Sequence, residues 1–250
     1  MGELLGNKPL VEALCQFNFS SANTQDGLLG ENFYEMVKVE FPERAISKTV
    51  LFKFPIQGII SPIDQVELHQ FKRFDELAAV QINSDLLVIN LRDYKNWEDF
   101  KSLILKMYSN YCGVRNISNL ESVSLRYINH IDTPNEEKVE IEDFLTVFPI
   151  FPTPIDKDLN GFSQVYSFTY PELMARLTHR TGIVINSEGG VRLLLDLDII
   201  SSWVEPFREL SNLTSWLDQA HDHIETAFIA SLNPEYYESL RGQRYVTDNK

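Results

Sequence analysis

Between Leu10 and Phe19 apolar and polar side chains alternate: Val11, Ala13, Cys15, Phe17 and Phe19 share one side, while Glu12, Gln16 and Asn18 take the other. A period of two marks a β-strand with one buried face. The same alternation returns at Ser122–His130, where Val123, Leu125 and Tyr127 oppose Ser122, Ser124, Arg126 and Ile128. Each strand opens a pass of similar layout: strand, inserted helix, four strands with tight turns, closing amphipathic helix.

In the first pass, Phe33, Met36, Val37 and Phe41 fall at helical spacing and Pro42 ends the helix. A strand through Phe52, Phe54 and Ile56 follows, placed at a sheet edge or bulged there by Pro55, which has no donor. Strands are predicted over Gln65–Phe74, Ala79–Asn83 and Leu86–Leu91, the last two joined through Asn83-Ser84-Asp85. Asn96 caps a helix whose Trp97, Phe100, Ile104, Met107, Tyr108 and Tyr111 make one apolar stripe, and Gly113 stops it. In the second pass Ile141–Phe148 reads as a short helix and Pro149–Pro154 as an extended linker. Strands are predicted at Gln164–Tyr170, Leu173–Arg180, Gly182–Asn186 and Val191–Asp198, with a hairpin turn over Ser187–Gly190. A closing helix over Thr214–Leu232 carries Trp216, Ala220, Ile224, Ala227, Phe228 and Ser231, and Asn233-Pro234 breaks it. The expected fold is therefore α+β: two β-α-β4-α units, residues 1–115 and 116–240, with antiparallel sheets, helices packed on one face, and a polar tail over 241–250.

Composition bounds this without redirecting it. Hydrophobic residues at 44% and charged residues at 23% are ordinary for globular chains. No apolar run approaches the ~20 residues needed to cross a bilayer, and the first residues lack a basic stretch followed by an apolar core, so a cytoplasmic location without membrane contact is expected. Lys and Arg number 22 against 36 Asp and Glu, a formal net charge of −14. Such a balance repels the nucleic-acid backbone and favours a basic protein partner. The cysteines, Cys15 and Cys112, make no disulfide framework, and Cys15 reads as a small buried hydrophobe.

Few residues suggest chemistry. His221-Asp222-His223 with Glu225 looks like a metal motif, yet residues two apart on a helix point about 160° from each other. Chelation by two histidines on one helix wants a spacing of three or four; the histidines read instead as polar shoulders of the stripe. Asp196 and Asp198 share a strand face and could hold a cation, do acid/base work, or pair with a basic residue. Arg126, with Asn129 and His130, could orient a carboxylate or phosphate, with an interstrand ion pair as the favoured reading. The sequence has no G-x-S-x-G, P-loop or G-x-G-x-x-G, and neither a cofactor nor a catalytic group is expected from it.

Pro9–Phe19, Tyr94–Phe100, Leu125–Asn129, Leu195–Asp198 and the Leu217–Phe228 helix ending in Ser231-Leu232 together resemble a sporadically distributed family of bacterial conserved hypothetical proteins, over about Pro9 to Leu240. The resemblance implies a cytoplasmic α+β protein, carried on mobile or defence-associated loci, with no catalytic residues to transfer. At Gln16 the chain departs from the acidic residue common there, so no carboxylate site is implied at that position. In strand order the expected fold is similar to the TATA-binding-protein and helix-grip folds, an analogy that licenses no DNA binding. The expected role is a non-catalytic interaction protein, an accessory or inhibitory subunit in a stress or defence system. The alternative is a small-ligand binder or hydrolase using the cleft between sheet and helices, with Arg126, Asn129, Asp196 and Asp198 as its polar groups.

Overall fold

A computed structural model describes residues 8–20, 26–53, 61–115, 120–133, 140–150, 161–185, 191–202 and 210–242. Along them run β1 (Leu10–Phe19), α1 (Asp26–Val37), β2 (Glu43–Lys53), β3 (Ser61–Lys72), β4 (Ala78–Asn83), β5 (Leu86–Leu91), α2 (Trp97–Val114), β6 (Leu120–Asp132), β7 (Ser163–Tyr170), β8 (Ala175–Ile185), β9 (Val191–Ser201), α3 (Leu210–Ser231) and α4 (Pro234–Gly242).

The nine strands form one sheet in the order β2-β3-β4-β5-β1-β6-β9-β8-β7, and every neighbouring pair is antiparallel. The α+β class follows directly. β1 and β6 pair near the centre, with Ala13 opposite Tyr127 and Cys15 opposite Leu125. From that pair the sheet grows outward through β5, β4, β3 and β2 on one side and β9, β8 and β7 on the other.

Strand alternation decides what each face does. Ala13, Cys15 and Phe17 of β1, Val123, Leu125 and Tyr127 of β6, and Leu193, Leu195, Leu197 and Ile199 of β9 are buried and join one hydrophobic cluster. The helices lie on this face, α1 against β3 and β4, α2 against β5, and α3 against β6 and β9. Leu29, Phe33 and Val37 on α1, Phe100, Ile104, Met107 and Tyr111 on α2, and Leu213, Trp216, Leu217, Ala220 and Ile224 on α3 complete the cluster, which spans both halves of the chain. These spacings of three and four are what an amphipathic helix needs to bury one stripe.

Several boundaries differ from the expected ones. The first helix begins at Asp26 and ends at Val37; Lys38 to Glu40 form a turn that carries Phe41 into the core. Gly113 does not stop α2, which closes at Arg115, whose N–H bonds the Tyr111 carbonyl. The expected helix over Ile141–Phe148 is a single 3-10 turn, Ile141–Asp143. The two strands expected over Leu173–Arg180 and Gly182–Asn186 are one, β8, so three strands follow β6 rather than four. Gly182, expected to open a strand of its own, sits mid-strand opposite Ser163, where a Cβ would lie 3.0 Å from the Phe162 carbonyl oxygen. Its role is close approach of backbone, not chain reversal. Pro234 breaks α3 as expected and then starts α4, a position proline tolerates because its missing N–H has no helical partner. Phe54–Ile56, the Ser187–Gly190 turn and most of the Pro149–Pro154 linker lie outside the described residues.

Gly30 decides how closely α1 approaches the sheet. A Cβ there would lie 2.4 Å from the ring of His69, which is 1% exposed on β3. The Gly30→Ala variant is expected to lose about 1–3 kcal/mol of stability by overpacking, read from its urea midpoint; a midpoint equal to that of the wild type would contradict this packing.

Candidate functional site

The first turn of α2 meets α3 above the centre of the sheet. Asn96 caps α2, its Oδ1 accepting the Asp99 backbone N–H at 2.9 Å, and this sets Trp97 at the first helical position. The Trp97 ring lies flat on the imidazole of His221 from α3, with centroids 4.5 Å apart and planes 9° from parallel. The Trp97 indole N–H donates to Asp218 Oδ1 at 2.7 Å, and the Lys101 ammonium donates to the same oxygen at 2.8 Å. From below, the Tyr127 hydroxyl lies 3.1 Å from His221 Nδ1. Three elements thus converge on one histidine.

Beside this junction is a cavity of about 500 Å³. Leu10, Tyr127, Asn129 and Leu197 line it from the strands, Trp97 and Lys101 from α2, and His221, Asp222, Ile224, Glu225 and Phe228 from α3. Tyr94, edge-on to Tyr127 with centroids 5.5 Å apart, lines it from the segment before α2. Asn129 is 3% exposed, and its amide donates to the Leu195 carbonyl at 3.0 Å.

Burial dominates the electrostatics here. It pushes the His221 imidazole down to about 4, with Asp222 and Asp218 pulling the other way, so the ring is neutral at neutral pH. Burial pushes the Tyr94 phenol up to about 12 and raises that of Tyr127 well above its ordinary value. Burial also tends to raise the Asp218 carboxyl, but the hydrogen bonds from Lys101 and Trp97 outweigh it and the net shift is downward. At the cavity edge a ring nitrogen of His221 and carboxylate oxygens of Asp222 and Glu225 lie within 4.8 Å of one another. His223 is not part of that group: it packs against Tyr170, 4.5 Å between ring centroids, and lies 3.5 Å from Glu172.

The four candidate polar residues are divided between the two faces of the sheet. Asn129 lines the cavity, whereas Arg126, three residues earlier and so of opposite parity, points to the face opposite α1, α2 and α3, as do Asp196 and Asp198. There Arg126 forms the favoured interstrand ion pair, its Nε and Nη2 each donating to Asp196 at 2.8 Å, and Arg180 Nη1 adds a third bond at 3.1 Å. These two side chains leave Asp196 only 2% exposed. Burial raises the Asp198 carboxyl, with the Asp196 charge acting in the same direction against Arg126, Arg180 and Arg176. Arg192 pairs with Asp132 at 2.6 Å. Among the described residues, Arg126, Arg180 and Arg192 of this face are each paired with one of its aspartates.

Pattern reading pointed to Asn129 alone among the cavity residues as a candidate contact. Trp97 and Tyr127 read as core, and His221 as a polar shoulder. The local signal for the cavity edge was the spacing of four between His221 and Glu225, which puts both on one side of a helix.

An α+β protein with an open antiparallel sheet and a cavity between that sheet and two helices is the class that fold and site define. No protein-family model matches the chain, and no curated protein matches it either. Among the described residues no helix is long and apolar enough to cross a membrane.

The depressed His221 gives a pH signature. Unfolded, the imidazole takes a proton near its ordinary ~6.5; folded, it resists until about 4. Its contribution to stability is full above ~6.5 and is lost as the pH falls toward about 4. Its charged and titratable neighbours include Tyr127 on β6, Glu98 on α2, and Asp218, Asp222 and Glu225 on α3. The His221→Phe variant, which keeps a ring to stack on Trp97, is expected to flatten the acid limb of stability against pH. The remaining slope comes from other shifted groups, among them His130 and His179, both lowered by burial, and the lowered Asp218 carboxyl; an acid limb as steep as that of the wild type would contradict the assignment.

Proposed function

We propose that the chain is a small-ligand-binding protein whose ligand occupies the cavity between α2, α3 and the sheet. The observation that carries this reading is the cavity itself: about 500 Å³, within the roughly 300–1,000 Å³ of small-molecule sites. Tyr94, Trp97 and Tyr127 offer aromatic surface for a flat or apolar portion of a ligand, and the edge residues His221, Asp222 and Glu225 offer polar contacts at one end. Junction contacts supply pre-organisation, because Trp97, Lys101, Asp218 and Tyr127 are already bonded or stacked in place.

Native mass spectrometry of the chain purified from its own host tests this. The expected result is a non-covalent adduct of small-molecule mass that raises the melting temperature and is lost in Phe228→Trp, which adds bulk at the half-buried cavity wall. A bare mass, together with a library of small aromatic compounds that leaves melting unchanged, would contradict it.

A second reading, docking of a protein partner, is favoured by the β7 edge. Among the described residues β7 pairs only with β8, and Val165, Tyr166 and Phe168 are 59%, 40% and 49% exposed. An unpaired edge with apolar side chains can accept a strand from another chain. The acidic balance suits a basic partner, and the bacterial family resemblance supports a cytoplasmic accessory or inhibitory role in a stress or defence locus. Val165→Lys is expected to release such a partner from complexes isolated from the host, whereas an unchanged complex would count against this edge. We further read the sheet as two passes of one plan, residues 1–115 and 116–240, similar to the TATA-binding-protein and helix-grip folds, the second pass one strand shorter. Nucleic acid ranks last because the net charge is −14 and Arg126, Arg180 and Arg192 of the open face are already paired with carboxylates.

A further inference from the structure

We infer that His221, Asp222 and Glu225 form a divalent-cation site at the edge of the cavity, where the cation anchors the polar end of the ligand. This deepens the proposed function and rests on it for the role of the ion, though not for its binding. Successive helical residues turn by about 100°, so Asp222 lies about 100° and Glu225 about 40° from His221, and all three side chains leave α3 within one sector. A ring nitrogen of His221 and carboxylate oxygens of Asp222 and Glu225 already lie within 4.8 Å of one another, and all three residues line the same cavity. His221 and Glu225 have the spacing of four by which a single helix presents two ligands to one ion.

The histidine is held as a metal ligand needs to be. Trp97 fixes its plane, and Tyr127 occupies Nδ1, the one nitrogen of the His221 ring with a hydrogen bond to the described residues. Nε2 is left for a cation, with Nδ1–H donating to the Tyr127 oxygen, the outer contact that orients a ligating imidazole. His221 is 8% exposed, so this positioning is built into the core rather than onto a mobile surface. Neither Asp222 nor Glu225 has an ion pair among the described residues. Lys101, the cavity cation nearest in sequence to Trp97, is held by Asp218 and Glu98. One nitrogen with carboxylate oxygens suits first-row divalent ions such as Mn²⁺, Co²⁺ or Zn²⁺ more than soft ions. Three protein donors leave coordination positions open toward the cavity, which a carboxylate, phosphate or hydroxyl oxygen of the ligand can fill.

The test uses the full tag-free chain, stripped with a chelator and titrated with Co²⁺ alone, followed by visible absorption and calorimetry. One equivalent is expected to bind with d–d bands and to be displaced by Zn²⁺. Glu225→Gln and Asp222→Asn are each expected to weaken binding about 10–100-fold, while His223→Asn leaves it unchanged. Both carboxylate variants lie at exposed or half-buried positions, and unfolding in chelator reports that they still fold. No binding, or equal binding by wild type and both carboxylate variants, would overturn the site. A small-molecule adduct persisting in chelator-treated protein that binds no Co²⁺ would remove the cation and leave the cavity reading standing; loss of the adduct with Co²⁺ binding intact would do the reverse.

Discussion

Parity along the β-strands is the constraint on which the rest of this molecule depends. Neighbouring residues of a strand face opposite ways, and the registers that join β5, β1, β6 and β9 bring buried positions opposite buried positions: Ile89 with Cys15, Cys15 with Leu125, Leu125 with Ile199. A slip of one residue at any of these seams would turn a row of core side chains onto the polar face. The helices then have one place to go. Their apolar stripes cover the row that parity makes apolar, and the opposite face keeps its arginines, aspartates, serines and amides.

The same constraint separates two kinds of polar chemistry. On the open face, Arg126, Arg180 and Asp196 satisfy each other, and the near-complete burial of Asp196 is tolerable because three charged hydrogen bonds replace its water. On the helix face the polar groups are fewer and differently used. Tyr127 and Asn129 sit among aliphatic side chains, and α3 brings His221 down onto Tyr127 while α2 brings Trp97 across it. The junction ties helix to helix and both to the sheet, and the cavity lies where that junction and the strands fail to fill the space between them.

Local signals were read well and non-local ones poorly. The alternation of β1, the apolar run of Leu86–Leu91, the Asn96 cap and the stripe of α2 are visible in the chain because each is decided by residues within one or two turns of each other. The break expected between Arg180 and Gly182 is absent from β8, because a glycine that admits a neighbouring carbonyl looks the same in sequence as one that interrupts a strand. Helix α4 was missed since Pro234 both ends one helix and begins another. Asn129 was grouped with Arg126 by nearness in sequence, although their odd separation already placed them on opposite faces. The Trp97, Tyr127 and His221 convergence joins residues 94 and 124 positions apart along pairs that no local pattern reports.

The central claim is that the Trp97–His221 contact closes the sheet–helix junction beside the cavity. A double-mutant cycle with Trp97→Leu, His221→Leu and both together, read by urea unfolding, tests it most directly. Stacked rings in contact predict a coupling free energy of about 0.5–1.5 kcal/mol. Additive losses, with coupling indistinguishable from zero, would mean that the two rings do not meet and that the junction is not built as described.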